Sequence, residues 1–163
     1  MRRETKAVKV RDIQIGGGAP VAVQSMTKTD TTDVDGTIRQ IEEMVTAGCE
    51  IVRIAVPDKD AAIAMKEIRK RTNVPIVADI HFHYKLALMA LEAGFDKLRL
   101  NPGNIGSIDR VREVVRATEA QGIPIRIGVN GARSKRIYCV NTARQRPKRW
   151  SNRECATFAF WKI

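Results

Sequence analysis

Between residues 20 and 130 the chain repeats one pattern: a short apolar run, then a stretch in which apolar residues return every third or fourth position. The runs are 21–26, 51–56, 75–80, 97–101 and 124–129. They are rich in β-branched residues and short, so they predict five buried strands. The stretches between them predict amphipathic helices. Ile38, Ile41, Met44 and Val45 form one apolar stripe, opposed by Arg39, Gln40, Glu42 and Glu43. Ala61, Met65 and Ile68 form a second, Leu86, Met89 and Ala90 a third, and Val111, Val114 and Val115 a fourth. Gly48, Gly94 and Gly122 stand where left-handed helix C-caps are expected. Asp58 and Ser107 are candidate N-caps.

Strands that alternate with helices build a parallel sheet. The tight βα spacing points to an α/β fold, a partial TIM (β/α)8 barrel with about five of its eight strands. A doubly wound sheet is the alternative, but no GxGxxG turn follows the first strand. Val8 to Ile15, followed by Gly16-Gly17-Gly18, predicts a small hairpin over the barrel's closed end. A five-stranded piece leaves two open parallel edges, so self-association is expected. After residue 130 the periodicity stops. The domain reading is therefore 1–130 as the N-terminal part of a barrel, and 131–163 as an irregular basic tail.

Charge sharpens that division. The net charge of +11 suggests a nucleic-acid binder until it is divided along the chain. Residues 1–130 carry 20 Lys/Arg and 17 Asp/Glu, whereas 131–163 carry 9 Lys/Arg and one acid, Glu154. The tail's aromatics do not interleave with its arginines, which argues against nucleic acid as a partner. A short phosphate- or nucleic-acid-binding protein that uses this tail is the alternative reading. Cys49, Cys139 and Cys155 form no CxxC pair, so neither a disulfide framework nor a complete metal site is expected. No run is long enough for a membrane helix and the N-terminus lacks a signal-like apolar region, so a cytoplasmic protein is expected.

In β/α barrels chemistry collects at the C-terminal ends of the strands. Here those ends carry Arg53 on the second strand, Arg99 on the fourth and Arg126 on the fifth. Each is flanked by aliphatic residues. A guanidinium in that setting needs a counter-charge, and its planar fork suits phosphate oxygens. Three together favour an anion site such as one for a diphosphate. The plainer alternative is pairing with a buried acid: Glu50, Asp79 or Asp96. His81, beside Asp79 at the end of the third strand, is a candidate general acid, metal ligand or substrate donor. His83 reads as a surface residue. The segment Asn101-Pro102-Gly103-Asn104-Ile105-Gly106 is a weak candidate for presenting backbone N–H groups to an anion. Lys66, Arg69, Lys70 and Arg71 read as a solvated helix face.

Several segments together resemble the 4-hydroxy-3-methylbut-2-enyl diphosphate synthases of the methylerythritol phosphate pathway. The carriers are Ile15-Gly16-Gly17-Gly18-Ala19-Pro20, Val23-Gln24-Ser25-Met26-Thr27, Gly48-Cys49-Glu50-Ile51-Val52-Arg53, Ala78-Asp79-Ile80-His81-Phe82, the Arg99 to Gly106 segment, and Pro124-Ile125-Arg126-Ile127-Gly128-Val129-Asn130. The resemblance implies a barrel that binds 2-C-methyl-D-erythritol 2,4-cyclodiphosphate. It implies Arg53, Arg99, Arg126 and Asn130 as substrate-binding residues and His81 as the catalytic candidate. It also implies a homodimer, a C-terminal domain holding a [4Fe–4S] cluster, and ferredoxin or flavodoxin as electron donor for reductive ring opening and dehydration. No metal ligand is expected in this chain, and the chain alone is expected to be inactive. The family pattern breaks at Asn130–Gly131. Permitted codons for 132–150, reread from the third base, can spell an amphipathic helix beginning Ser-Leu-Glu. A shifted frame is therefore the expected origin of the tail.

Overall fold

A computed structural model of the chain describes residues 4–105 and 107–128. By internal contacts the chain divides into Met1–Gly128 and Val129–Ile163. The second unit, with Asn130, Cys139, Cys155 and the proposed tail, lies outside the described residues. The first begins with two antiparallel strands, β1 (Val8–Val10) and β2 (Ile13–Ile15). Five parallel strands follow: β3 (Gln24–Met26), β4 (Ile51–Val56), β5 (Ile76–Ile80), β6 (Lys97–Leu100) and β7 (Ile125–Ile127). The helices are α1 (Val34–Thr46), α2 (Lys59–Arg71), α3 (Tyr84–Glu92), the short α4 (Pro102–Ile105) and α5 (Ile108–Ala120).

Strand order in the sheet follows chain order without reversal. A doubly wound sheet would reverse at a switch point, so this is the barrel winding. The four long helices pack in sequence, α1 on α2, α2 on α3 and α3 on α5. They cover the sheet face that carries Val52, Ile54, Ala78, Ile80, Leu98 and Leu100, all at most 1% exposed. Strand residues alternate between faces. Arg53, Asp79, Lys97, Arg99 and Arg126 therefore share the opposite, inner face.

The hairpin β1–β2 closes one end of that inner face, as expected. Val10 is fully buried and packs with Ile51 and Val77 near the strand starts, joined by Ile13, Ile15 and Ala22. The predicted helical stripes bury as expected at Ile38, Ile41, Ala61, Met65, Ile68, Leu86, Ala90, Val111 and Val114. Val45 is 44% exposed and departs from its stripe. Gly48, Gly94 and Gly122 take positive φ after their helices. Asp58 caps α2 by accepting from the Ala61 N–H at 2.8 Å. Ser107 precedes α5 without a side-chain cap bond, whereas Asp33, an unpredicted cap, accepts from the Gly36 N–H.

Two strands are shorter than predicted. β3 starts at Gln24, and Val21 and Val23 before it are exposed. Among the described residues it is an edge strand that pairs only with β4, so apolar character there is not matched by burial. β7, the other edge among those residues, pairs with β6. Arg69 also departs from expectation. It is partly buried, donates to the Val74 carbonyl at 3.3 Å and pairs with Asp96 at 3.4 Å, so it is no solvated-face residue.

Candidate anion-binding site

The inner-face charges meet at the C-terminal ends of the strands, around one carboxylate. Asp79 on β5 is 1% exposed. Its Oδ1 accepts from Arg99 Nη1 at 2.8 Å, and its Oδ2 lies 3.2 Å from Arg53 Nε. Register explains the meeting: Asp79 is the partner of Arg99 across β5–β6, and Arg99 is the partner of Arg126 across β6–β7. Parallel partners project to one face, so the strand ladder itself aligns this tier. Arg53 Nε also contacts Met26 Sδ at 3.2 Å.

The plainer reading, pairing with a buried acid, holds for two of the three arginines. Arg53 and Arg99 pair with a buried acid, Asp79. Glu50 and Asp96 do not serve them. Glu50 accepts from the Val23 N–H at 2.7 Å, and Asp96 lies at the closed end with Arg11 and Arg69. Arg126 is exposed and has no ion pair among the described residues. One carboxylate against three guanidiniums leaves a net charge of +2 on this tier. A carboxylate flanked by two arginines fixes their orientation, and the surplus charge remains available to an anion.

His81 follows β5 on the same face as Asp79, with Nε2 3.7 Å from Asp79 Oδ2. That is too long for a hydrogen bond. Its side chain is 36% exposed, so it faces the open mouth. His83 is exposed at the start of α3, as expected. The 101–105 segment, the weak candidate for presenting backbone N–H groups to an anion, holds α4. It makes one helical turn in which the Asn104 N–H donates to the Asn101 carbonyl at 2.9 Å. Asn101 itself is 6% exposed.

Gly128, just past β7, is a contributor that sequence patterning did not single out. A Cβ built there would lie 2.8 Å from both Arg99 Nε and Nη2. The bare backbone makes the space that the guanidinium occupies. The signal was present in the Gly-Val-Asn that ends the fifth run, but nothing in one sequence says what a glycine makes room for.

Lys97 lies two residues before Arg99 on the same face and is 8% exposed. Burial and the Arg126 charge push its ammonium below the ordinary lysine range. No cluster of three or more His, Cys, Asp or Glu suits a metal ion among the described residues. Cys49, buried, donates its thiol to the Ile51 carbonyl at 3.1 Å. A cluster that needs four protein ligands does not fit the described residues.

Fold and site together define a β/α-barrel domain with a cationic strand-end cleft. The fold is shared at low identity with the 7,8-dihydropteroate synthase of Vibrio fischeri ES114. That match has a TM-score of 0.58 and 14% identity, and covers 78% of this chain and 50% of the other. Residues 5–149 match the GcpE TIM-barrel domain, and the chain belongs to that family. It is 62% identical over 129 residues to the 4-hydroxy-3-methylbut-2-en-1-yl diphosphate synthase (flavodoxin) of Symbiobacterium thermophilum, covering 79% of this chain and 35% of that protein. It is 59% identical over 129 residues to the enzyme of the same name from Thermodesulfovibrio yellowstonii, covering 79% and 37%. The chain thus spans little more than a third of these relatives' length.

Proposed function

We propose that this chain supplies the phosphate-binding part of the substrate site of a 4-hydroxy-3-methylbut-2-en-1-yl diphosphate synthase. The substrate is 2-C-methyl-D-erythritol 2,4-cyclodiphosphate, opened reductively with loss of water. The observation that carries the reading is the Asp79-centred tier, in which one buried carboxylate aligns Arg53 and Arg99 and leaves a surplus of positive charge. Arg53, Arg99 and Arg126 hold the phosphoryl oxygens, and Asn130 is assigned to the same task. His81, beside Asp79 at the strand end, is the candidate general acid that gives a proton to a substrate oxygen as it leaves.

The reading extends to what this chain does not carry alone. A [4Fe–4S] cluster on further residues would supply the electrons. Flavodoxin, which the relatives' enzyme name carries, or ferredoxin would reload it, and the working enzyme would be a cytoplasmic homodimer. Among the described residues no helix is long and apolar enough to cross a membrane. The domain proposal remains a barrel portion over 1–130 and a frame-shifted basic tail over 131–163. On that reading the 163-residue chain binds the cyclodiphosphate without turning it over.

Titration calorimetry of the full chain with the cyclodiphosphate tests this. Binding that weakens with salt and is lost in Arg99→Met supports it. No binding by the unaltered chain, or binding indifferent to Arg99, sinks it. Sequencing the gene around the Gly131 codon tests the tail: an intact frame there ends the frameshift idea.

A further inference from the structure

A lysine that is 92% buried normally has an acid beside it. Lys97 has none. It forms no ion pair among the described residues. Both buried acids are engaged elsewhere. Asp79 holds Arg53 and Arg99, while Asp96 holds Arg11, Arg69 and the Ile76 N–H. Among the described residues the other ionisable groups on the inner face are Arg53 on β4, Arg99 on β6, Arg126 on β7, His81 just past β5, and Asp79. Asp79 on β5 is the single acid among them.

Position gives this cation a use. Lys97 is paired in register with Val77, a member of the apolar plug under the hairpin. Arg99 stands one inner-face position further toward the mouth, about 6.6 Å along the strand. The lysine thus starts beside the apolar plug, and the Arg126 charge acts on its ammonium, which puts it within reach of the arginine tier. A cation kept there without a counter-charge costs stability, which an incoming anion would repay.

We propose that Lys97 is a further anion ligand of this cleft, gripping the phosphoryl group that sits deepest, below the one held by Arg99 and Arg126. The proposal rests on the cleft reading above. It assigns to the floor of the site a residue that the arginine tier does not include. Because the ammonium loses its proton more easily than an ordinary lysine, this grip is lost at a lower pH than a surface lysine's would be.

The test uses inorganic pyrophosphate and the full 163-residue chain, unaltered and as Lys97→Met and Arg99→Met. Affinity is measured by calorimetry from pH 7 to pH 10. The expected result at pH 7.5 is a loss of about tenfold or more in Lys97→Met, the scale of one charged hydrogen bond. The fall in affinity with rising pH should be shallower in Lys97→Met than in the unaltered chain. Without ligand, Lys97→Met should melt at a higher temperature, since it removes an unpaired buried charge. That outcome separates a ligand from a structural lysine and shows that the variant folds. If Arg99→Met loses binding while Lys97→Met keeps both affinity and pH slope, the Lys97 proposal is overturned and the cleft stands. If the unaltered chain does not bind pyrophosphate, the cleft reading itself falls, and the proposal with it.

Discussion

Two carboxylates are buried on this sheet, and each sits between two arginines. Asp96 lies at the closed end, with Arg69 at 3.4 Å and Arg11 at 3.6 Å. Asp79 lies at the mouth, with Arg99 at 2.8 Å and Arg53 at 3.2 Å. The charge pattern is the same, but the donors left over differ. At the closed end Arg11 also donates to the Asn73 carbonyl and Arg69 to the Val74 carbonyl, while Asp96 takes the Ile76 N–H. That triad ties hairpin, α2 and β5 together. At the mouth the two arginines meet no backbone carbonyl among the described residues, and Arg126, without an ion pair among those residues, stands beside them. An ion triad with its donors consumed by backbone is a tie. One with donors to spare is the candidate site.

Removing each acid separates the two most strongly. Asp79→Ala should cost about 3 kcal/mol of stability, because it strands two guanidiniums. Asp96→Ala should cost a comparable amount. Their response to ligand should differ: pyrophosphate should recover most of the Asp79→Ala loss by replacing the missing counter-charge, and none of the Asp96→Ala loss. Thermal melts with and without pyrophosphate decide this, and equal recovery would erase the distinction between the ends. The arginines give the next effect. Arg99→Met should weaken pyrophosphate binding about thirtyfold, in line with a charged hydrogen bond of roughly 2 kcal/mol. Arg69→Met should leave affinity unchanged and lower the melting temperature. Binding lost in both variants would mean that Arg99 acts only through stability.

Most of this layout was legible in the chain. The apolar runs located the strands because a barrel strand covered by helices must be apolar on its outer side, and polar residues then stand out on the inner one. That contrast placed Arg53, Asp79, Arg99 and Arg126 before any coordinates. What could not be read was which acid takes which arginine. Asp79, Asp96 and Glu50 were equivalent in sequence. Register across β5–β6 chose Asp79, and a one-residue slip would have chosen otherwise. Lys97 was hidden for a related reason: the first residue of a run reads as its polar end until its neighbours show it buried. The first run was overextended because strand propensity cannot tell an edge from a centre, and Val21 and Val23 sit before an edge strand.

Two glycines extend the comparison at lower amplitude. Gly128→Ala puts a methyl 2.8 Å from the Arg99 guanidinium, so Arg99 must leave Asp79 or β7 must yield. Affinity for pyrophosphate should fall about fivefold to tenfold, with a stability loss near the low end of the roughly 1–3 kcal/mol typical of overpacking. Gly17→Ala, at φ +60° and 2.8 Å from Ala7 Cβ, crowds the hairpin instead. It should lower the melting temperature and leave affinity alone. A fall in affinity there would show that the closed end transmits strain to the mouth.

Lys97 sits between the two ends and gives the smallest effect, read as the pH dependence of folding. Its ammonium titrates lower in the folded chain than in the unfolded one, because burial and Arg126 disfavour the charge. Folding is therefore opposed wherever Lys97 is charged. The opposition fades as pH rises through the folded value, and is gone above the unfolded value of about 10.4. The unaltered chain should gain stability relative to Lys97→Met between pH 7 and pH 10. Urea midpoints measured in parallel for the two chains cancel the titration of every other group. A constant gap across that range would place Lys97 in water, and would remove it from both the floor and the site.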